Sequence, residues 1–532
     1  MSASSRNQLK KLCHPIRIAP PAPAAHNAPM TKPPPLRLDA SPLAPADVES
    51  VAREWRQVEL APEARARVQA ARRVVESRLH DGQAHYGINT GFGSLSKQRI
   101  PDHQLKDLQR NLVRSHAAGV GEPLEPEIVR AMLLLLAASL ARGRSGVRTE
   151  LVDLLIAMLN AGVTPVVPSL GSVGASGDLA PLAHAALVLI GEGSALMQGA
   201  TLPADEALRR AGLQPIELEA KEGLALINGT HLMAAQAALL VQDAERLLEA
   251  ATIATAMSLD ACRATDAFLD ARVHTLRAHP AGQNIAERMR AALAGSEIIP
   301  SHRFDDARVQ DPYSIRCAVY VLGAASELLE FVRTNTVREL GAVTDNPLVF
   351  DNGDVISAGN FHGMPIALPL DTLALVAAHA AGISERRTYL MLSAMDPDYR
   401  LTPYLTREPG VQSGLMIAQY TAAACCNEII GLCTPATVSN IPTSAGIEDY
   451  NSFGPRAAAK ARRAIELARH VVAIELLCAA EAIEHHRPLK SGAGVERAHA
   501  AVRSVVPRLD ADRPPAPDIA AIERLIREGA IA

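Results

Sequence analysis

The chain has 532 residues and a formal net charge of −4, with 48% hydrophobic, 21% charged and only 3% aromatic residues. This balance is typical of a packed globular protein and excludes the strongly basic character of most nucleic-acid-binding proteins. Alanine and leucine favour helices, whereas the aromatic residues that favour strands are scarce. We therefore expect a mainly α fold and no nucleic-acid partner.

The apolar runs and the cysteines indicate the cellular compartment of the protein. The longest apolar runs, such as residues 131–141, are too short to cross a bilayer, and no secretory signal begins the chain. The seven cysteines match neither zinc-ligand nor disulfide-exchange spacings. We interpret them as buried thiols, including Cys425 and Cys426 in an alanine-rich stretch. Reduced thiols indicate a cytoplasmic protein. The short apolar runs indicate no membrane contact, and the cysteine spacings indicate no metal.

The first 37 residues differ from the rest of the chain. Residues 1–37 are rich in proline and contain no acidic residue, so they cannot bury enough apolar surface to fold. They are predicted to form a disordered tail, although translation could also begin at Met30. Residues 38–230 alternate glycine-rich loops with apolar helices, and residues 231–532 are predicted to form a helical bundle.

Long amphipathic helices dominate the predicted elements. Apolar residues recur at three- and four-residue spacings, as helix packing requires. Several segments exceed the ordinary helix length of about 11–12 residues. Long helices aligned in one bundle would share a single core. The predicted helices cover residues 127–142, 233–259, 312–333, 366–392, 410–431 and 456–485.

Residues 86–93 read Tyr-Gly-Ile-Asn-Thr-Gly-Phe-Gly. The glycines indicate a mobile loop that could cover a site. Their spacing does not match a dinucleotide-binding fingerprint, and no predicted strand precedes them. By itself, Tyr86 would be read as a packing residue.

Residues 171–184 read Gly-Ser-Val-Gly-Ala-Ser-Gly-Asp-Leu-Ala-Pro-Leu-Ala-His. A simple interpretation is a glycine-rich turn before a helix. A serine-hydrolase elbow would need Gly-x-Ser-x-Gly, and here Asp178 stands where the last glycine belongs.

Residues 310–316 read Gln-Asp-Pro-Tyr-Ser-Ile-Arg. If a helix begins near Pro312, Tyr313 and Arg316 lie on one helical face. The planar guanidinium of an arginine can bind a carboxylate through two hydrogen bonds. Without further context, an ordinary salt bridge within a helix would explain Arg316 equally well.

The order of these motifs over residues 40–525 resembles that in the MIO-dependent ammonia-lyases of histidine, phenylalanine and tyrosine. The motifs are closest to those of the bacterial histidine-specific members. The resemblance implies that Ala175, Ser176 and Gly177 cyclise autocatalytically into 4-methylidene-imidazol-5-one (MIO), with no external cofactor. The Gly177 amide nitrogen would attack the Ala175 carbonyl, and Ser176 would lose its hydroxyl to become an electrophilic methylene.

The resemblance also assigns roles to other residues. Tyr86 would be the base that removes a proton from the substrate β-carbon, a task for which a phenol needs nearby positive charge at neutral pH. Arg316 would hold the substrate carboxylate. Residues implied beside the substrate or the MIO are Tyr313, Gln310, Asn228 in Asn228-Gly229-Thr230-His231, and Phe361 in the segment 359–363, with residues 345–348 as a further wall.

The family fold is a fumarase/aspartase-like bundle of long helices, with a loop-rich N-terminal part that carries the MIO. The resemblance further implies a homotetramer in which three subunits build each site, and a small-molecule substrate that is an amino acid. Composition by itself indicates only the helices.

Two positions favour histidine as the substrate. Ser115-His116 and Glu448 resemble the histidine-specific members, whereas many phenylalanine lyases carry Gln at the second position. A buried carboxylate can accept a hydrogen bond from an imidazole N–H but not from a phenyl edge. An unpaired buried polar group costs roughly 1–3 kcal/mol, about tenfold or more against phenylalanine. We therefore expect conversion of L-histidine to trans-urocanate and ammonia, a step of histidine catabolism.

Other positions depart from the histidine pattern. Gly446-Ile447 replace an Asn-Gln pair, Met364 stands where a polar residue is common, and Tyr450 begins a segment closer to phenylalanine lyases. The main alternative is a tyrosine or phenylalanine ammonia-lyase that gives p-coumarate or cinnamate. An MIO-dependent aminomutase is a second, less favoured alternative.

Two unrelated classes are also considered. An inactive scaffold would be expected to lose Ser176, Tyr86 or Arg316, and the chain retains all three. A metal site could be built from a cluster of charged residues near position 485, but the His-x-x-x-His pattern is missing. We interpret this cluster as a solvated helix end; it comprises Glu481, Glu484, His485 and His486.

Overall fold

The computed structural model describes residues 33–79, 81–93, 99–304 and 306–531. It is 59% helical with few strands, which confirms the mainly α fold expected from the composition. The residues from Pro35 onward form one compact unit. Most of the predicted tail, residues 1–32, lies outside the described residues.

Eighteen α-helices follow one another in the described parts of the chain. They are α1 (Pro45–Ala52), α2 (Pro62–Leu79), α3 (Leu105–His116), α4 (Pro126–Ala141), α5 (Thr149–Ala161), α6 (Leu179–Leu189), α7 (Ala204–Arg210), α8 (Glu222–Ile227), α9 (His231–Ala261), α10 (Ala271–Arg277), α11 (Pro280–Leu293), α12 (Tyr313–Arg316), α13 (Ala318–Leu340), α14 (Met364–Ser393), α15 (Met416–Leu432), α16 (Gly454–Glu484), α17 (Ala493–Val505) and α18 (Ala516–Arg527).

Short strands connect the helices and form four small sheets. They are β1 (Leu36–Leu38), β2 (Val58–Leu60), β3 (Val120–Pro123), β4 (Thr164–Pro165), β5 (Pro168–Leu170), β6 (Ser194–Met197), β7 (Ala200–Pro203), β8 (Leu348–Val349) and β9 (Val355–Ile356). Strands β1 and β2 pair in parallel, whereas β3–β5, β4–β6–β7 and β8–β9 are antiparallel.

Strand β1 (Leu36–Leu38) includes two residues, Leu36 and Arg37, that were predicted to belong to the disordered tail. Leu36 and Leu38 are both buried, and the Leu36 amide donates to the Gln57 carbonyl at 2.7 Å. Leu36 and Leu38 face the same side of the strand. The proline-rich composition of the preceding residues did not indicate their burial. The tail predicted over residues 1–37 therefore ends before Leu36.

The five helices α9, α13, α14, α15 and α16 form the bundle predicted from the apolar periodicity. Helices α14 and α16 make the most extensive contact between any two described elements. On α16, buried alanines recur at helical spacing, and such small side chains let neighbouring helices approach closely. This stripe consists of Ala457, Ala461, Ala464 and Ala468.

Helix α9 joins two large apolar clusters. Leu232 and Leu239 belong to the cluster of the N-terminal helices, whereas Met233 and Leu240 belong to the cluster of the bundle. One helix thus contributes opposite faces to both cores. The division at residues 230 and 231 remains a prediction.

The helix predicted over 312–333 is interrupted at Cys317. The backbone there leaves the helical region (φ −104°, ψ 2°) and separates α12 from α13. In an uninterrupted helix the Ser314 carbonyl would accept from residue 318. Here it accepts a hydrogen bond from the side chain of Arg387 at 3.2 Å.

Helix α14 corrects the estimate that apolar runs are short. It is long and apolar enough to cross a membrane by length and composition, but 61% of its most apolar window is buried inside the fold. It also carries the buried, charged side chains of Asp371 and Glu385. A core helix of a bundle explains these features.

The charged cluster at the end of α16 is less solvated than predicted. Glu481 and His486 are buried, and Glu481 pairs with Arg503 of α17 at 2.8 Å. Ion pairing with α17 makes this burial possible. Among the described residues, no group of three or more His, Cys, Asp or Glu side chains could hold a metal ion.

The cysteines are also less buried than predicted. Cys262 and Cys478 are buried free thiols, but the other four described cysteines are only partly buried, including Cys425 and Cys426 on α15. Helix α15 packs on the edge of the bundle in this single chain, which leaves part of its surface uncovered.

Candidate active site

The centre of the site is the loop between β5 and α6, residues 171–178. Gly177 has φ +75°, and a Cβ there would lie 2.2 Å from the Gly229 carbonyl oxygen. Only glycine allows this approach of two backbones. The Asn228 side-chain amide donates to the Ser176 carbonyl at 2.7 Å, and the Asp178 amide donates to the Gly229 carbonyl at 2.7 Å. The predicted residues Ser176, Gly177 and Asn228 are therefore brought together.

Asp178 anchors this loop to the first turn of α9. Its buried carboxylate accepts from the amides of Leu232 and Met233 at 2.9 and 3.0 Å, and from the Ser172 hydroxyl at 3.0 Å. Burial raises the pKa of Asp178 to about 7, and these hydrogen bonds oppose the shift. Asp178 was not among the site residues predicted from the sequence. An acidic residue directly after the tripeptide was the available signal, because helix N-termini favour negative charge.

Two distant segments fasten the other end of the loop. The Phe453 amide donates to the Val173 carbonyl at 2.9 Å, and the Ser452 hydroxyl donates to the Gly174 carbonyl at 3.0 Å. The Gly363 amide donates to the same Gly174 oxygen at 3.1 Å. These bonds bring the segments after Glu448 and Phe361 to the loop.

A cavity of about 770 Å³ opens over Ser176, a size typical of small-molecule sites. The fold of this single chain brings several of the predicted site residues to its wall. Those lining it are Tyr86, His116, Ser176, Asn228, Phe361 and Glu448. Ser115 and Asn346 also line it, and lining residues that were not predicted from the sequence include Asn111, Leu179 and Ser444.

The Glu448 carboxylate reaches the tripeptide directly. Its Oε1 accepts from the Ser176 hydroxyl at 2.8 Å, and its Oε2 accepts from the Thr443 hydroxyl at 3.0 Å. Glu448 is half-buried in this chain rather than buried, because the surrounding loop is exposed. Two fixed acceptor oxygens nevertheless face donors within the site.

The tautomer of His116 follows from its partners. Its Nδ1 lies 2.9 Å from the Leu112 carbonyl, which can only accept. The Ser115 hydroxyl, 3.1 Å from Nδ1, itself donates to the Leu112 carbonyl and can accept from Nδ1. This geometry favours the proton on Nδ1, which in the neutral ring leaves Nε2 with a lone pair. At this position in the cavity, His116 can accept a hydrogen bond from a ligand.

The wall that carries Phe361 is cross-linked through amide side chains. The Ala358 amide donates to Asn346 at 2.7 Å, and the Asn360 side chain donates to the Asp345 carbonyl at 2.7 Å. A buried ion pair between Lys221 and Asp345, 2.9 Å apart, fixes this wall to the segment that leads to Asn228.

The remaining predicted residues lie elsewhere in the chain. Gln310, Tyr313 and Arg316 do not line the cavity, and Tyr313 is 70% exposed. The Arg316 guanidinium lies 4.5 Å from the centre of the Tyr313 ring and donates to the Gln310 side chain at 2.8 Å. Tyr313 and Arg316 thus share a helical face, as predicted, and the partly buried cation of Arg316 lies on α12.

Comparison with known proteins adds independent information. Residues 43–504 match a family model described as aromatic amino acid lyase. A histidine ammonia-lyase from Anaeromyxobacter dehalogenans is 50% identical over 505 residues, covering 93% of this chain and 99% of the relative. A second, from Sorangium cellulosum, is 50% identical over 500 residues, covering 92% of this chain and 97% of the relative.

Solved structures share the fold. Histidine ammonia-lyase from Trypanosoma cruzi is 42% identical with a TM-score of 0.86, covering 93% of this chain and 94% of that one. Tyrosine aminomutase from Streptomyces globisporus is 32% identical with a TM-score of 0.88, covering 93% and 97%. Backbone similarity therefore does not separate these two activities.

Proposed function

Because the chain belongs to the aromatic amino acid lyase family, we propose that it removes ammonia from L-histidine to give trans-urocanate. One observation carries the choice of substrate: two hydrogen-bond acceptors, Glu448 and His116, line the cavity that opens over Ser176. The relatives that are about 50% identical and named histidine ammonia-lyase support the same assignment.

The residues present fit an MIO formed from Ala175, Ser176 and Gly177. The contact between Gly177 and Gly229 forms a cradle that a side chain would fill, and Asn228 holds the Ser176 carbonyl that ring closure retains. When formed, this group supplies a strong electrophile that assists departure of the amino group of the substrate. Loss of the Ser176 hydroxyl also frees Glu448 Oε1 from its present donor.

The chain's own side chains bind and orient the substrate. An imidazole ring presents one N–H donor when neutral and two when protonated, so it can donate to Glu448 Oε1, to His116 Nε2 or, when protonated, to both. A phenyl ring presents none and would leave these two acceptor atoms without a donor. Tyr86 lines the same cavity and takes the proton from the β-carbon. Breaking the C–H and C–N bonds leaves the double bond of urocanate, with ammonia as the second product.

We expect Glu448→Gln to lower activity on histidine far more than activity on phenylalanine or tyrosine. The substitution keeps the size of the side chain but replaces charge-assisted hydrogen bonds with neutral ones, which are roughly half as strong. The kcat/KM for histidine should fall about ten- to hundredfold, with little loss for phenylalanine or tyrosine. Steady-state kinetics with the three amino acids measure this ratio.

The exposed Glu217, which pairs with Lys106 at 2.7 Å, provides the control. Glu217→Gln should leave the histidine-to-phenylalanine ratio unchanged. If Glu448→Gln lowers turnover of all substrates equally, Glu448 is structural and the choice of histidine loses its support.

We further propose a homotetramer in which a neighbouring subunit supplies Arg316, with Tyr313 and Gln310, to bind the substrate carboxylate. Two features support this: the three residues do not line the cavity of their own chain, and large apolar side chains such as Ile417, Tyr420 and Ile430 are exposed on α15. An exposed apolar surface of this kind is typical of subunit interfaces.

Shared sites predict complementation between inactive variants. Ser176→Ala and Arg316→Ala should each be inactive alone. In randomly mixed tetramers about one half of the positions of each residue are intact, so about one quarter of the sites recover both. Co-expression with two affinity tags, followed by activity assay of the doubly purified protein, tests this; activity that stays at zero places both residues in one chain's site.

The alternative substrate keeps one structural observation in its favour. Ile447 lines the cavity and could pack against the benzene ring of tyrosine or phenylalanine. The two acceptors beside it disfavour phenylalanine, because its apolar ring would bury them without donors. Tyrosine has a hydroxyl that can donate, and against tyrosine the relatives named histidine ammonia-lyase support histidine. Partly exposed, unpaired thiols such as Cys317 fit a protein of the reducing cytoplasm.

A further inference from the structure

A fully buried ion pair lies at the centre of the bundle. Arg387 of α14 and Glu475 of α16 are each 0% exposed. The guanidinium forms two parallel bonds to the carboxylate, Nε to Oε1 at 2.5 Å and Nη2 to Oε2 at 2.8 Å. The Ser258 hydroxyl of α9 donates to the same Oε1 at 2.7 Å. Three helices therefore meet at one carboxylate.

Stability alone gives a weak reason for such a pair. Removing two charges from water is costly, and apolar side chains of similar volume often serve a core equally well. The remaining hydrogen bonds of Arg387 indicate what else it does.

The third bond of Arg387 leaves the core. Its Nη1 donates to the Ser314 carbonyl at 3.2 Å, in the middle of the single turn α12 that carries Tyr313 and Arg316. This bond engages the carbonyl at the point where the helix is interrupted before α13. A main-chain oxygen of the exposed segment is thus tied to a rigid, buried group.

The other side of the segment has its own anchor. The buried carboxylate of Asp311 accepts from the Thr265 amide at 2.8 Å, and the Asp311 carbonyl accepts from Arg316 Nε at 2.9 Å. Arg316 is therefore oriented by backbone that is held on one side by Thr265 and on the other by Arg387.

We propose that the Arg387–Glu475 pair is a positioning device that sets Arg316 for binding the substrate carboxylate. This inference rests on the proposed role of Arg316. Arg387 and Glu475 are positioning residues: they act through Ser314 and α12 rather than on the substrate.

The test separates carboxylate binding from folding. Arg387→Met combined with Glu475→Leu removes the pair and the bond to Ser314 but keeps an apolar core. Arg387→Lys keeps a charge opposite Glu475 but lacks the planar fork. The matched control is Arg469→Met with Glu523→Leu, a more exposed pair 2.7 Å apart. It joins Arg469, less than two turns before Glu475 on α16, to Glu523 of α18.

Calorimetry on the assembled protein compares trans-urocanate with 4-vinylimidazole, which has the same ring but no carboxylate. Both Arg387 variants should bind trans-urocanate at least about tenfold more weakly, because charge-assisted hydrogen bonds are lost. Binding of 4-vinylimidazole and the melting temperature of the double variant should change little. The control should match the wild-type protein for both ligands.

Several outcomes overturn the inference. Equal weakening of both ligands, unchanged urocanate binding, or failure of both Arg387 variants to assemble while the control assembles would show a purely structural pair. Arg316→Ala distinguishes the underlying proposal. If Arg316→Ala does not weaken urocanate selectively, or the wild-type protein does not bind urocanate, the proposed function fails independently of the pair.

Discussion

Ser176→Ala is expected to abolish turnover of every substrate and to return the mass of two water molecules to the chain. Ring closure between Ala175 and Gly177 removes one water, and loss of the Ser176 hydroxyl removes the other. Without the methylene there is no electrophile, so the rate falls by at least about 10⁶-fold, the lower end of enzymatic rate enhancement. Intact-mass spectrometry and product formation from histidine are the two measurements.

Each mass is compared with the value calculated from the corresponding sequence. Ser77→Ala, at an exposed serine on α2, should keep both the deficit of two waters and full activity. A wild-type chain of full calculated mass that is nonetheless active would contradict the MIO.

Tyr86→Phe is expected to lower kcat about 10²- to 10⁴-fold, the usual contribution of a general base, with a much smaller change in KM. The substitution removes one hydroxyl and keeps the ring that packs at the cavity wall beside Gly87. Gly87 itself could not carry a side chain, because a Cβ would lie 2.7 Å from Leu224. Because Tyr86→Phe adds no atoms to this tightly packed loop, the loop geometry should survive. The measurement is steady-state kinetics with histidine, at saturating and at limiting concentrations.

Tyr389→Phe removes a hydroxyl from a partly exposed tyrosine of α14 outside the cavity, and it should be silent. A Tyr86→Phe enzyme that retains more than about one tenth of the wild-type kcat would assign the β-proton to another base.

The sequence allowed the long helices to be predicted because their apolar spacing is a local property. The predicted ranges for α9, α14 and α16 differ from the observed ends by only a few residues. Local motifs also identified Ser176, Asn228, Tyr86 and Glu448, which the fold brings to one cavity.

Interactions between distant parts of the chain were not predictable in this way. The bonds from Ser452 and Gly363 to Gly174 depend on how loops meet after folding. At the interruption before α13, the Ser314 carbonyl is paired with Arg387, which lies about seventy residues later in the chain. No local pattern distinguishes these residues, so they emerge only from the tertiary structure.

Burial of charged residues was also misjudged for a physical reason. Glu481 and His486 look solvated in a charged helix end, yet α17 supplies Arg503 to pair with the carboxylate. Burial of a charge depends on its partner rather than on its own sequence neighbours.

The most direct test of the proposed function is to incubate the purified protein separately with L-histidine, L-tyrosine and L-phenylalanine and to identify the products by mass spectrometry. We predict trans-urocanate and an equal amount of ammonia from histidine, with kcat/KM at least about tenfold above that for either other amino acid. Preferential formation of p-coumarate, cinnamate or a β-amino acid would contradict the assignment of histidine as the substrate.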